Sequence, residues 1–315
     1  MTNQLDDALP PFDCTVPVNG YRWWYVDGLS DCGSYGIVII AFVGSVFSPY
    51  YYFARQRGPA DPENHCAINV ALYSPSGKDW AMTERGRGAV TRSPRRLDVA
   101  RSSMRICRDG QLAIDIDERS VPWGRTMRGT VRVTAETANR ESWQLDHHGR
   151  HTWQPVAPGA RITVDFERPA VNWTGEAYVD SNSGAAPLED GFSSWDWSRC
   201  RTASATHIRY RAIERGGRIR TVALRHAPGK ELVEEEDEPV VSLPATGWRI
   251  QRQTQARGPV RVARTLEDTP FYARSVLEMA VGTETFSAVH ESLSLERFSK
   301  TWVRSLLPFR MPRRR

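Results

Sequence analysis

The stretch His207-Ile-Arg-Tyr-Arg-Ala-Ile-Glu-Arg-Gly216-Gly217-Arg-Ile-Arg-Thr-Val-Ala-Leu224 sets the reading of the whole chain. Ile208 and Tyr210 alternate with Arg209 and Arg211, a Gly216–Gly217 break follows, and Arg218 and Arg220 then alternate with Ile219 and Thr221. A period of two sends successive side chains to opposite faces of a strand, and a glycine pair supplies the positive φ of a tight hairpin. Its arms, His207–Ile213 and Arg218–Leu224, are therefore strands. Outward from the hairpin, Gln111–Asp117, Thr130–Ala135 and Arg161–Phe166 precede it, and Trp248–Gln253, Val260–Leu266 and Thr285–Leu295 follow it. Gly, Pro and Asn punctuate these runs as they do in a β-sandwich or barrel, and no helix-period pattern of comparable length competes. The expected class is all-β. A length of 315 residues exceeds what one ordinary core needs, and two barrels of similar size would fit it. Turn formers replace the strand pattern over Ser181–Gly191, so the expected boundary leaves residues 13–187 in a first β domain and 188–305 in a second, with a basic tail over 306–315. The first twelve residues and the tail are expected to be loose ends.

A hydrophobic fraction of 40% and a charged fraction of 25% belong to a soluble globular chain and exclude disorder throughout. The longest apolar stretch, Gly36–Phe47, falls short of the roughly 18–20 residues of a membrane-spanning helix. The opening MTNQLDDALPPFD lacks the basic and apolar regions of a secretory signal, so none is expected. Of the net charge of +5, four charges come from Arg310, Arg313, Arg314 and Arg315, which leaves a nearly neutral body and no nucleic-acid module. The acidic run Glu231–Glu238 reads as a solvated loop. Five scattered cysteines without a C-x-x-C pair argue against a disulfide framework or thiolate zinc, and a reduced, cytoplasmic compartment fits them. Cys66 follows His65, but adjacent strand residues face opposite sides, so Cys66 is expected to be a buried, inert thiol.

Eleven tryptophans are many for this length, and seven of them cluster at Trp23–Trp24, Trp143, Trp153, Trp173, Trp195 and Trp197, with Tyr50, Tyr51, Tyr52 and Phe53 adding to the aromatic load. Core packing accounts for most; a cavity for a long apolar ligand is the sharper alternative. Asp146–Trp153 holds three of the seven histidines, yet it has no zinc spacing, and Gly149 breaks a helical reading of His147 and His151. No metal is expected. His151 and Trp153, two apart, would share a strand face, or else form a half-exposed strand end stopped by Pro155. In Trp173–Asp180 the same period points Glu176, Tyr178 and Asp180 one way and Ala177 and Val179 the other. A carboxyl group buried among aromatics is costly to ionise and can stay protonated as an acid. Equally, Asp180 can simply open the Asp-Ser-Asn-Ser-Gly turn. Asp196, between Trp195 and Trp197, faces away from both rings and is expected to pair with an arginine. Neither a G-x-S-x-G elbow, a phosphate-binding glycine loop nor an H-E-x-x-H helix is present.

Gly44–Tyr51 (GSVFSPYY), Gly58–Ala67 (GPADPENHCA), Trp80–Arg85 (WAMTER), Tyr178–Gly184 (YVDSNSG) and Trp195–Arg199 (WDWSR) resemble the carotenoid 1,2-hydratase family, also called hydroxyneurosporene synthase. The resemblance runs in order from about Tyr21 to Trp197 and more loosely to Ser299; the acidic run and arginine tail lie outside it. It implies a pair of lipocalin-like β-barrels in tandem and a cofactor-independent enzyme of phototrophic bacteria. That enzyme would add water to the terminal C1=C2 bond of an acyclic carotene such as neurosporene or lycopene. The family's functional His-x-Trp and Tyr-x-Asp pairs fall on His151 and Trp153 and on Tyr178 and Asp180. This implies Asp180 as the acid, Trp153 and Tyr178 as ring faces for a cation, and His151 either orienting or deprotonating the water or hydrogen-bonding Asp180. Implied partners are the carotene and water, with no nucleic acid and no obligate protein partner. Peripheral contact with the inner photosynthetic membrane would run through Tyr50–Phe53 beside Arg55 and Arg57, or through the arginine tail. Glu176 could help keep Asp180 protonated by like-charge repulsion. The rival readings are a non-catalytic carrier of an apolar ligand and an isomerase or pericyclase on the same scaffold.

Overall fold

A computed structural model describes residues 5–314, which are mostly strand and almost entirely antiparallel. Residues 1–4 and 315, the outermost parts of the two expected loose ends, lie outside the described residues. The chain divides into two compact units, one of residues 1–144, 150–187 and 305–315, the other of residues 145–149 and 188–304.

The first unit is built around the hairpin of His151–Arg168 and Val171–Gly184. Tyr21–Ser30 pairs with the second arm and is followed across the sheet by Gly36–Val43 and Cys66–Ser74. Thr126–Ala135 pairs with the first arm and leads back through Leu112–Arg119 and Ser102–Ile106. The sheet is a curled half-barrel. Far from the hairpin's open end one face is wet: Met127, Val131 and Val133 are buried while Arg128, Thr130, Arg132 and Thr134 are exposed. Such alternation marks an antiparallel sheet covered on one side. It stops in Tyr21–Ser30, Gly36–Val43 and the stretch Ala177–Asn182, where both faces are buried. One face carries the apolar core, with Trp24, Val26, Ile39, Val156, Ala177 and Val179 among its members; the other carries the polar and aromatic side chains described below.

Pro155 does not end its strand. His151–Arg168 runs through Pro155 and Pro158, and the pairing slips between Gln154 and Ala157 and again between Ala157 and Ala160. A proline has no N–H to give the ladder, and bulges are where a sheet tolerates that loss. The described N-terminal segment is not a loose end either. Leu5, Ala8, Leu9 and Phe12 are buried, Phe12 packs on Trp24 with ring centroids 5.0 Å apart, and Trp24 Nε1 donates to Pro10 O at 2.9 Å. Their spacing is an apolar helical stripe, which the strand reading passes over. The tail is likewise tied down: Arg313 pairs with the buried Glu84, Glu84 N donates to Pro312 O at 2.9 Å, and the Arg310 guanidinium lies over the Trp80 ring at 4.8 Å. A carboxylate as buried as Glu84 needs a cation beside it.

In the second unit a seven-stranded sheet contains the glycine hairpin, with arms Thr206–Glu214 and Ile219–His226 and Gly217 at φ +82°. The expected strand over Trp248–Gln253 is instead a turn followed by a short strand, Arg252–Gln255. Thr246 N donates to Ile250 O at 3.1 Å, Ile250 N donates back to Thr246 Oγ1 at 3.2 Å, and Arg249 takes φ +59° within the turn they close. One apolar cluster of this unit gathers Cys200, Leu243, Ala256, Leu277, Met279 and Ala288, and charged groups are buried in the unit as well. Arg209 is held by Glu235 at 2.9 Å and Glu238 at 3.2 Å, so the acidic run is not merely solvated; it neutralises a buried guanidinium. Asp196 accepts from the Ser292 hydroxyl and from Gln253 N at 3.3 Å, with His290 Nε2 4.0 Å away. Arg211 acts on Asp196 through its field, in place of the expected close arginine pair.

Candidate active site

Tyr21–Ser30 and Val171–Gly184 pair in a register that sets Tyr25 opposite Asp180, Val26 opposite Val179 and Asp27 opposite Tyr178. The tripeptide Tyr-Val-Asp thus occurs on both strands and meets itself head to tail. The two valines enter the apolar core. Strand alternation sends the two tyrosines and two aspartates to the opposite face. There all four are buried, Tyr178 and Asp27 completely and Asp180 to 6% exposure. Tyr25 Oη donates to Asp27 Oδ2 at 3.2 Å, and the Tyr25 and Tyr178 rings meet edge to face with centroids 6.2 Å apart.

The third strand supplies Trp153, opposite Asn182, and His151, opposite Gly184. Trp153 Nε1 donates to Asp180 Oδ2 at 3.0 Å, which unites Trp153, Tyr178 and Asp180 in one cluster. His151 lies further along. Gly184 is four residues beyond Asp180, about 13 Å of strand at ~3.3 Å per residue. There His151 Nδ1 is 3.0 Å from Tyr21 Oη. Tyr21 in turn stacks on Trp23 at 5.0 Å, and Trp23 meets Phe42 edge-on at 5.9 Å. Gly184 makes room for this contact: a Cβ there would stand 2.4 Å from Tyr21 Cε1 and 2.7 Å from His151 Nδ1.

Burial holds the Tyr178 hydroxyl well above its ordinary value, and the charge of Asp180, a hydrogen bond with it and the charge of Asp27 push the same way. Tyr178 is therefore a neutral phenol. Glu176 does share the face, but it is half-exposed and sits opposite Leu29 on one side and Arg161 on the other. A carboxylate facing an arginine is a weak source of repulsion toward Asp180. His147, from the histidine-rich segment, pairs with Glu214, and the described residues contain no group of three or more His, Cys, Asp or Glu arranged to hold a metal ion. Burial pushes the Cys66 thiol up to about 12, far from a nucleophile's range.

A carboxyl group screened from water, gripped by an indole N–H and walled by ring faces can give a proton to an apolar molecule and shelter the cation that results. Tyr25 and Asp27 lie outside the period-two pairs of the chain's middle third. The signal that finds them is the repeated Tyr-Val-Asp.

Solved structures of similar fold include an AttH-type protein of Nitrosomonas europaea, with TM-score 0.63 and 12% identity over 88% of this chain and 92% of that one. Kievitone hydratase of Nectria haematococca aligns with TM-score 0.54 and 7% identity over 90% and 97% of the two chains. At such identity they speak for the fold alone. In sequence, the acyclic carotenoid 1,2-hydratase of Thiocapsa roseopersicina is 50% identical over 308 residues, 96% of this chain and 76% of that protein. That of Rubrivivax gelatinosus is 46% identical over 313 residues, 97% of this chain and 76% of that protein. The family model for the carotenoid hydratase CrtC matches residues 39–315, and with such relatives along nearly its whole length this chain belongs to the carotenoid hydratase family.

Proposed function

We propose that the protein hydrates the terminal C1=C2 bond of acyclic carotenes such as neurosporene or lycopene, giving 1-hydroxy carotenoids without a cofactor. The observation that carries this reading is the Asp180 carboxyl, nearly sealed from solvent and hydrogen-bonded by Trp153. Asp180 delivers its proton to C2, because the tertiary cation then forms at C1, the more substituted carbon. The faces of Trp153 and Tyr178 stabilise that cation, a contact worth about 2 kcal/mol when desolvated. Water adds at C1 and loses a proton. His151 acts through Tyr21 as a positioning residue, fixing the ring row that walls the site. Dryness matters because bulk water would ionise Asp180 and end its use as an acid.

We read the two units as tandem lipocalin-like barrels with a boundary at 187/188, a reading supported by the runs of consecutive antiparallel strands in each sheet. Among the described residues no helix is long and apolar enough to cross a membrane, so a membrane-borne substrate calls for peripheral contact. Phe53 on the helix Pro49–Arg57 is exposed, with Arg55 and Arg57 following it. Leu306 and Phe309 are exposed on the second half of the helix Thr301–Arg310. Both suit the interface of an anionic membrane. Flotation with anionic vesicles tests this, and absence of binding overturns it.

The decisive experiment is incubation of the purified protein with lycopene or neurosporene in detergent, followed by mass measurement. A hydratase adds one water; a carrier returns the carotene and an isomerase leaves its mass unchanged. Asp180→Asn should lose at least about 100-fold in product while still binding carotene, the scale of a removed general acid.

A further inference from the structure

We infer that Asp27 is a second catalytic carboxyl group, the acceptor of the proton that the attacking water releases. The inference rests on the hydratase reading above and deepens it. Addition of water needs two proton transfers of opposite sense, one to C2 and one away from the water oxygen. A single acid performs the first; a second group is needed where the second occurs.

Asp27 stands in that place. It is completely buried, on the face that carries Asp180 and away from the apolar core. It is one diagonal step from Asp180, since each aspartate faces the tyrosine that precedes the other. Diagonal neighbours on an antiparallel pair lie about 7–8 Å apart, somewhat less at Cβ. Enzymes that seat a water and a reacting carbon between two carboxyl groups use separations of about 6.5–9.5 Å. Tyr25 Oη donates to Asp27 Oδ2, and the Trp153 indole donates to Asp180 Oδ2, so each carboxyl group is anchored through one oxygen. On the strand Val171–Gly184 the further carboxylate of this face is Glu176, which is half-exposed and opposite Arg161. His151 sits opposite Gly184, four residues along the strand from Asp180, and is engaged with Tyr21.

The balance closes. Asp180 gives H⁺ to C2 and the π pair forms the new C–H bond; water oxygen bonds to C1; the resulting oxonium gives H⁺ to the Asp27 carboxylate. Asp27 then gives up that proton and Asp180 regains one by exchange with solvent as the product leaves, so the net change is alkene plus water to alcohol.

The test uses the full-length protein with lycopene in detergent made up in D2O, comparing wild type, Asp27→Asn and Asp180→Asn. Asp27→Asn should form alcohol at least about 100-fold more slowly. Its Asp180 still protonates the double bond reversibly, so deuterium should appear at C2 of the recovered carotene. A residue with only a structural role would lower both signals together. Asp180→Asn should give neither alcohol nor deuterium. Alcohol at the wild-type rate from Asp27→Asn, or loss of deuterium along with alcohol in a variant that still binds carotene, overturns the role of Asp27. Undiminished alcohol from Asp180→Asn overturns the active-site reading itself, so the two failures are distinct. If Asp27→Asn does not fold, Tyr25→Phe carries the test: the ratio of deuterium exchange to alcohol should rise, and an unchanged ratio refutes the inference.

Discussion

Trp153 is a hydrogen-bond donor before it is a ring. Its indole N–H holds one oxygen of Asp180, and a phenylalanine in its place would keep the aromatic wall and drop the bond. Such a bond contributes about 1 kcal/mol net when neutral, about a factor of five in a rate or an equilibrium. Trp153→Phe is expected to turn over carotene about fivefold more slowly at unchanged KM, measured by product formation under saturating substrate. Gly184 matters for the opposite reason, that nothing is there. The Cβ of Gly184→Ala would press on Tyr21 and His151. Overpacking of this kind costs about 1–3 kcal/mol, and a urea titration should register it. The His-x-Trp and Tyr-x-Asp pairs were visible as a period of two, because alternation is a local property. The division of labour between them was not: it depends on which residue each strand partner opposes.

The strand Tyr21–Ser30 is positioned partly by the helix Pro49–Arg57. Ser48 caps that helix, accepting from Tyr50 N and Tyr51 N at 3.1 Å each, and Pro49 occupies the first turn, where a missing N–H is harmless. From this helix Tyr51 Oη donates to Gly20 O at 2.7 Å, and Arg55 covers the Tyr51 ring at 4.4 Å. Gly20 immediately precedes Tyr21, so the cap, the helix and the His151 partner form one mechanical chain. Ser48→Ala should lower stability by about 1 kcal/mol, read as a shift in the urea midpoint without a change in slope. The helix itself was hidden among the aromatics Tyr50–Phe53, which read equally well as a surface run. Only Phe53 of the four is exposed, while Tyr51 is fully buried.

At the scale of the molecule, the first unit is apolar on one face of its sheet, whereas the second buries a set of ion pairs and dipoles. That polar interior makes its stability depend on pH through groups of opposite sign. Burial raises Asp196 from 3.8 to about 6, so the folded form holds its proton more tightly and stability falls as pH rises through that window. Burial lowers His290 from 6.5 to about 4, so the folded form releases its proton more readily and stability rises between about pH 4 and 6.5. The two slopes oppose and largely cancel. Asp196→Asn removes one of them, and His290 then acts unopposed. A tenfold difference in proton affinity between folded and unfolded chains is worth about 1.4 kcal/mol, so the variant should gain up to about 3 kcal/mol between pH 4 and 6.5. Denaturant titrations of the wild type and the variant at the two ends of the window check it.

The predominance of strand, the glycine hairpin of the second unit and the face shared by Tyr178 and Asp180 follow from the sequence alone, because each is set by alternation and turn chemistry within a few residues. Tertiary structure decided the rest. It closed Tyr21–Ser30 onto Val171–Gly184 and brought together Tyr25 with Asp180 and Asp27 with Tyr178, partners about half the chain apart. It carried a strand through two prolines by slipping its register, and folded an N-terminal stripe and a basic tail back onto their own unit. A residue's face is fixed by its own backbone, but its partner across the sheet depends on registers set by every loop between them.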